Sequence, residues 1–127
     1  MREHIGLFRG KRTDNGEWVE GSLWVLSDRT LICKKQCGAR FSRVDPDTIG
    51  ECTGLKDKNG KLIFEGDIFE WGYYRNEKHR YVVEYDPTLF SYIGKRKNGF
   101  VTMDGFDFEI IDNIHDNPEL LKGGEGQ

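Results

Sequence analysis

The chain is poor in what builds long helices and membrane spans. Its 127 residues contain little alanine, the strongest helix former, so a fold of packed helices is disfavoured from the start. No apolar run approaches the roughly 20 residues that a transmembrane helix requires, and Met1-Arg2-Glu3-His4 leads into no apolar core of an export signal. The protein is therefore expected in the cytoplasm, with no membrane partner. Cysteine is scarce as well: Cys33, Cys37 and Cys52 are the full set. An odd number of thiols without an export signal points to a reducing compartment and no disulfides. Cys33 and Cys37 have the spacing of half a zinc site, but structural zinc uses two close ligand pairs, and His79 and His115 fall in separate elements. No metal and no cofactor are expected. A P-loop and a nucleophile motif are missing too, which leaves no motif on which to rest an enzyme.

Turn and strand formers are what the chain has in quantity. Sixteen glycines, eight Phe, five Tyr and three Trp suit short strands joined by tight turns and predict a mainly β fold. The densest run of such signals is Val44 to Trp71, around Asp57-Lys58-Asn59-Gly60. Asp can bond its carboxylate to backbone two residues on, Asn tolerates a left-handed backbone and Gly adopts positive φ freely. A chain reversal is predicted there, with Gly60 at positive φ. Thr53–Lys56 and Lys61–Phe64 flank it as a hairpin. Glu65-Gly66-Asp67 reads as a turn with charged shoulders rather than a catalytic pair, because nothing nearby would drive two carboxyl pKa values apart.

Ile5 to Arg12 and Trp18 to Leu26 read as strands around an Asn15-Gly16 turn. In the second strand Trp18 and Trp24 lie six apart and share a face, expected to be core, with Val25 opposite. Leu31 to Cys33 is a short strand, and the unpatterned Lys34 to Arg43 is expected to be a mobile loop. Further strands are expected at Ile68–Tyr74, Arg80–Tyr85, Leu89–Gly94, Phe100–Met103 and Phe106–Asp112. Asn117 to Gly123 reads as one helical turn, with Asn as N-cap and Pro at the first helical position. Residues 123–127 are expected to be a disordered tail. Many short, turn-marked strands suggest a small barrel or sandwich.

Charged residues make up 32% of the chain at a net of −3, which argues against indiscriminate polyanion binding. The balance is uneven. Residues 101–127 hold seven acidic side chains and one base, a net of −6, which leaves the first hundred residues at +3.

Three blocks resemble the YopX family of small proteins, found mainly in bacteriophages and prophages of low-GC bacteria. They are Gly16-x-Trp18-x-x-Gly21, the run from Thr48-Ile49-Gly50 through Thr53-Gly54-Leu55-Lys56-Asp57-Lys58-Asn59-Gly60-Lys61 to Glu65-Gly66-Asp67-Ile68, and Ile110-Ile111-x-Asn113-Ile114-x-x-Asn117-Pro118-Glu119-Leu120-Leu121. Asp112 stands where the family commonly has Gly, and His115 where it often has Tyr. The resemblance implies one domain over 1–122 with a short-stranded SH3-like barrel in its C-terminal part. N-terminal β-hairpin strands and a loop would occupy 1–47, the barrel 48–122, with a short helical turn at the end. It also implies homo-oligomers, and it supplies no catalytic residues.

The first functional expectation is a phage or prophage accessory protein that acts through homo-oligomer assembly or on a host or phage protein. The rival, from another class, is nucleic-acid binding. Tyr73, Tyr74, Tyr81 and Tyr92 could stack bases beside Arg75, Lys78, Arg80, Lys95, Arg96 and Lys97. Burial in the core competes for those rings, and the acidic C-terminal segment repels phosphates, which favours the first expectation.

Overall fold

A computed structural model describes residues 6–34, 40–74, 77–97, 99–103 and 108–124, with side chains at 73, 74, 77, 78 and 122–124 excepted. The chain is mainly β. In order the strands are β1 (Phe8–Lys11), β2 (Trp18–Val25), β3 (Thr30–Lys34), β4 (Arg40–Val44), β5 (Gly50–Lys56), β6 (Leu62–Phe64), β7 (Asp67–Tyr74), β8 (Glu77–Asp86), β9 (Ser91–Arg96), β10 (Gly99–Thr102) and β11 (Ile110–Asn113), followed by the helix α1 (Glu119–Gly124). They form two open antiparallel sheets of order β4-β3-β2-β1-β5-β6 and β10-β9-β8-β7-β11. By its contacts the chain divides into two compact units, residues 1–54 and 55–127. Among the described residues no helix is long and apolar enough to cross a membrane.

In the first unit the core gathers Val19 of β2, Ile32 of β3 and Val44 of β4, with Phe8, Leu23 and Ile49 packed against them. This corrects the expectation for β2. The face carrying Trp18 and Trp24 is the outer one, and Trp24 is 50% exposed. Glu20 and Ser22 sit between the two tryptophans on that face, whereas Val19, Gly21 and Leu23 give the other face a shape that packs. Trp18 instead supports cations, with Arg9 4.8 Å and Lys11 5.6 Å from its ring centre. A Cβ at Gly21 would collide with the backbone carbonyl of Cys33, so β2 and β3 approach there as only glycine permits. The sheet curls until the end of β4 reaches the end of β1. Asp45 N–H donates to the Lys11 carbonyl at 2.8 Å and Thr13 N–H to the Arg43 carbonyl at 3.0 Å.

The loop expected at Lys34 to Arg43 is also corrected. Arg40–Val44 is a strand, paired with β3 from Lys34 opposite Arg40 to Thr30 opposite Val44. Its alternation went unread because Val44 is its one strongly apolar inward residue, while Phe41 and Arg43 face outward. Residues 35–39, including Cys37, lie outside the described residues. Cys33 and Cys52 are buried thiols outside any disulfide.

The second unit is built on the turn Asp57–Gly60. Gly60 has φ 83°, as its place in the turn predicts. One Asp57 carboxylate oxygen accepts from the N–H groups of Asn59 and Lys61, both at 2.9 Å. The other accepts from Ile110 N–H of β11 at 3.1 Å, 53 residues away in sequence. Burial pushes this carboxyl up, but the N–H donors of Ile110, Lys61 and Asn59, with the charge of Lys61, outweigh it and hold it below the usual aspartate range. The turn thus ties β11 to the unit's core, where Phe69 stacks on Phe108 at 4.2 Å and on Tyr81 at 5.4 Å. Asn117 precedes α1, and its side-chain amide donates to Asp112 while its backbone carbonyl accepts from Leu120. The helix runs through Gly123 and Gly124, and residues 125–127 lie outside the described residues.

Candidate functional site

In the second unit, β8 and β9 join through Asp86-Pro87-Thr88-Leu89-Phe90. Proline fixes one φ angle of the turn. The Asp86 carboxylate accepts from the Thr88 hydroxyl at 2.6 Å and from its N–H at 2.8 Å. Those bonds, with Leu89 N–H and the charge of Lys95, hold the Asp86 carboxyl below its usual range against slight burial. The strand expected from Leu89 therefore starts later, at Ser91, because the Asp86 side chain captures the two residues after Pro87. The turn delivers Phe90 at φ 52° and leaves the residue 83% exposed. A bulky residue in that region costs about 1–2 kcal/mol, and Phe90 gains no burial in return. Leu89 beside it is exposed as well. Tyr85 and Tyr92 pack edge to face at 5.2 Å where the two strands meet the turn. An outward aromatic ring on a fixed support has the form of an interface anchor.

The first unit has its own outward aromatic pair. Trp24 and Phe41 meet edge to face at 5.7 Å on the outer side of β2, β3 and β4, and Phe41 is 48% exposed.

The tyrosines and bases singled out for stacking and phosphate contact fall in different environments. Tyr81 and Tyr92 are buried in the core of the second unit. The Arg80 guanidinium pairs with Glu70 at 3.0 Å and donates to the Leu120 carbonyl in α1, also at 3.0 Å, so it braces the helix against β8. Lys95 and Lys97 are exposed and Arg96 is half-buried, together at the far end of β9. Arg75 and the side chains of Tyr73, Tyr74 and Lys78 lie outside the described residues. Among the described residues no three His, Cys, Asp or Glu side chains gather as a metal site.

The family described as YopX protein matches residues 7–122. The chain belongs to the YopX family. A crystal structure of protein EF1440 from Enterococcus faecalis is similar to this YopX chain, at 25% identity and a TM-score of 0.53, over 90% of this chain and 96% of that one. No curated protein matches.

Sequence reasoning passed over Phe90, Leu89, Phe41 and the outward role of Trp24 in this YopX chain. For Phe90 a signal was present. Asp86-Pro87-Thr88 is turn chemistry, and the residue closing such a turn is a candidate for positive φ.

Proposed function

We propose that this YopX protein is a phage- or prophage-encoded accessory protein that works in the bacterial host's cytoplasm by binding protein, first of all further copies of itself, rather than by catalysing a reaction. The carrying observation is Phe90, a strained and outward ring at the tip of a hydrogen-bonded turn. Its placement costs the isolated fold free energy that a contact would recover. The sheet edges support the same reading. β10 is an edge strand, and the outer side of β4 is paired only at its Val44 end, with Arg12; each carries an exposed phenylalanine, Phe100 and Phe41, of the kind that assemblies cover. In this reading the second unit is an SH3-like module, supported by the short meander β7-β8-β9-β10 with β11 returning beside β7.

Light scattering across micromolar concentrations tests the proposal on the parent chain and on Phe90→Asn, which keeps a residue tolerant of positive φ. The parent is expected at a multiple of the monomer mass, and the variant at smaller species for the same concentration. A monomeric parent mass at every concentration would remove self-assembly from the reading.

A further inference from the structure

Where the curled sheet of the first unit brings β4 back to β1, the turn between β2 and β3 completes a pocket of about 640 Å³. Lys11, Arg12, Arg29 and Arg43 line it, against the carboxylates of Asp28 and Asp45. Four cations thus converge in one pocket of a chain whose net charge is −3.

The local pairing of these charges decides what the pocket can accept. Arg12 is held bidentate by Asp14, at 3.0 and 2.6 Å, and Lys11 lies over Trp18. The Asp45 carboxylate accepts from Asp47 N–H at 3.0 Å. Arg29 reaches Asp28 only at 3.5 Å, and Arg43 forms no side-chain hydrogen bond or ion pair with any described residue. Arg29 and Arg43 therefore line the pocket with donors that the described residues use little. Arg29 directly precedes β3, whose Thr30 pairs with Val44 and whose Leu31 pairs with Arg43, so the two arginines line the pocket from neighbouring strand ends.

We propose that this pocket binds a phosphate-bearing small molecule of nucleotide size, with Arg29 and Arg43 holding the phosphate. The planar fork of a guanidinium matches phosphate oxygens two at a time and carries its charge at every physiological pH. The hydroxyl residues Thr13, Ser27 and Thr30 add donors around it, and Leu26 and Pro46 supply an apolar wall for the organic part. The volume lies within the range of small-molecule sites, about 300–1,000 Å³, and exceeds what inorganic phosphate alone would fill. Because the arginines are exposed, binding is expected to weaken with salt. This site lies in a different unit from Phe90 and is independent of the protein-binding reading.

Isothermal titration with ADP, adenosine and inorganic phosphate, at low and at physiological salt, tests it on the full chain and on Arg29→Gln, Arg43→Gln and the control Lys34→Gln. Circular dichroism confirms that each variant is folded. ADP is expected to bind saturably and adenosine not to bind. Each arginine variant should weaken ADP about ten- to a hundredfold, the effect of losing a charged hydrogen-bonding group, and Lys34→Gln should leave it unchanged. No saturable ADP binding, equal binding of adenosine, or arginine variants with unchanged affinity would overturn the assignment. A short DNA duplex bound more tightly than ADP through the same two arginines would also overturn it, in favour of a nucleic-acid surface.

Discussion

Replacing Asp57 by Asn isolates the bond that ties the central turn to β11. The amide oxygen of Asn can still accept from Asn59 and Lys61, but its NH₂ then faces the N–H of Ile110, donor against donor, across the 3.1 Å that the carboxylate now spans. Losing a hydrogen bond to a charged acceptor costs about 1.5–3 kcal/mol, and the two bonds that remain become weaker neutral ones. The expected loss is about 2–4 kcal/mol at neutral pH, a large share of a total stability on the order of 5–15 kcal/mol. The pH dependence has a definite sign. The Asp57 carboxyl is held low in the folded chain, so its stabilisation is fully present above the unfolded value of about 3.9 and fades as pH falls through the lower folded value. The gap between parent and variant should stay constant from pH 7 to about pH 5, then close in stronger acid. Urea unfolding followed by tryptophan fluorescence measures the gap, since Trp71 packs against the core of this unit. Amide exchange at Ile110 reads the lost bond directly. A variant within about 0.5 kcal/mol of the parent at neutral pH, the range of an ordinary surface change, or a gap that does not close in acid, would refute the reasoning.

Gly60→Val should destabilise the chain by about 1 kcal/mol or more, because a β-branched residue is strained at φ 83°; a thermal melt unchanged from the parent would count against it. Labelled single-stranded and duplex oligonucleotides should show no submicromolar binding at physiological salt, as Tyr81 and Tyr92 are buried and a patch of lysines alone loses affinity steeply with salt. Fluorescence anisotropy measures this, and tight binding that persists at that salt and is lost on Lys95→Glu with Lys97→Glu would revive the β9 hairpin as a nucleic-acid surface.

The sequence by itself determined what depends on a few adjacent residues. Composition set the mainly β class, and Asp57-Lys58-Asn59-Gly60 specified both the reversal and the positive φ of Gly60, because a turn is governed by the steric and bonding preferences of its own residues. Family membership was legible for the same reason, since the YopX blocks are largely turn and strand signals along the chain. Tertiary structure decided the rest. Alternation shows that Trp18 and Trp24 share a face but not that this face is outside; Val19, Ile32 and Val44, from three strands, settled which side packs. The third bond of Asp57, to Ile110, joins residues with no local relation. Arg29 and Arg43 are far apart in sequence and line one pocket only once β3 and β4 pair and the sheet curls toward β1. Convergence of charge is a property of the folded sheet, because the energy that curls it is spread over backbone pairing and side-chain packing between distant segments.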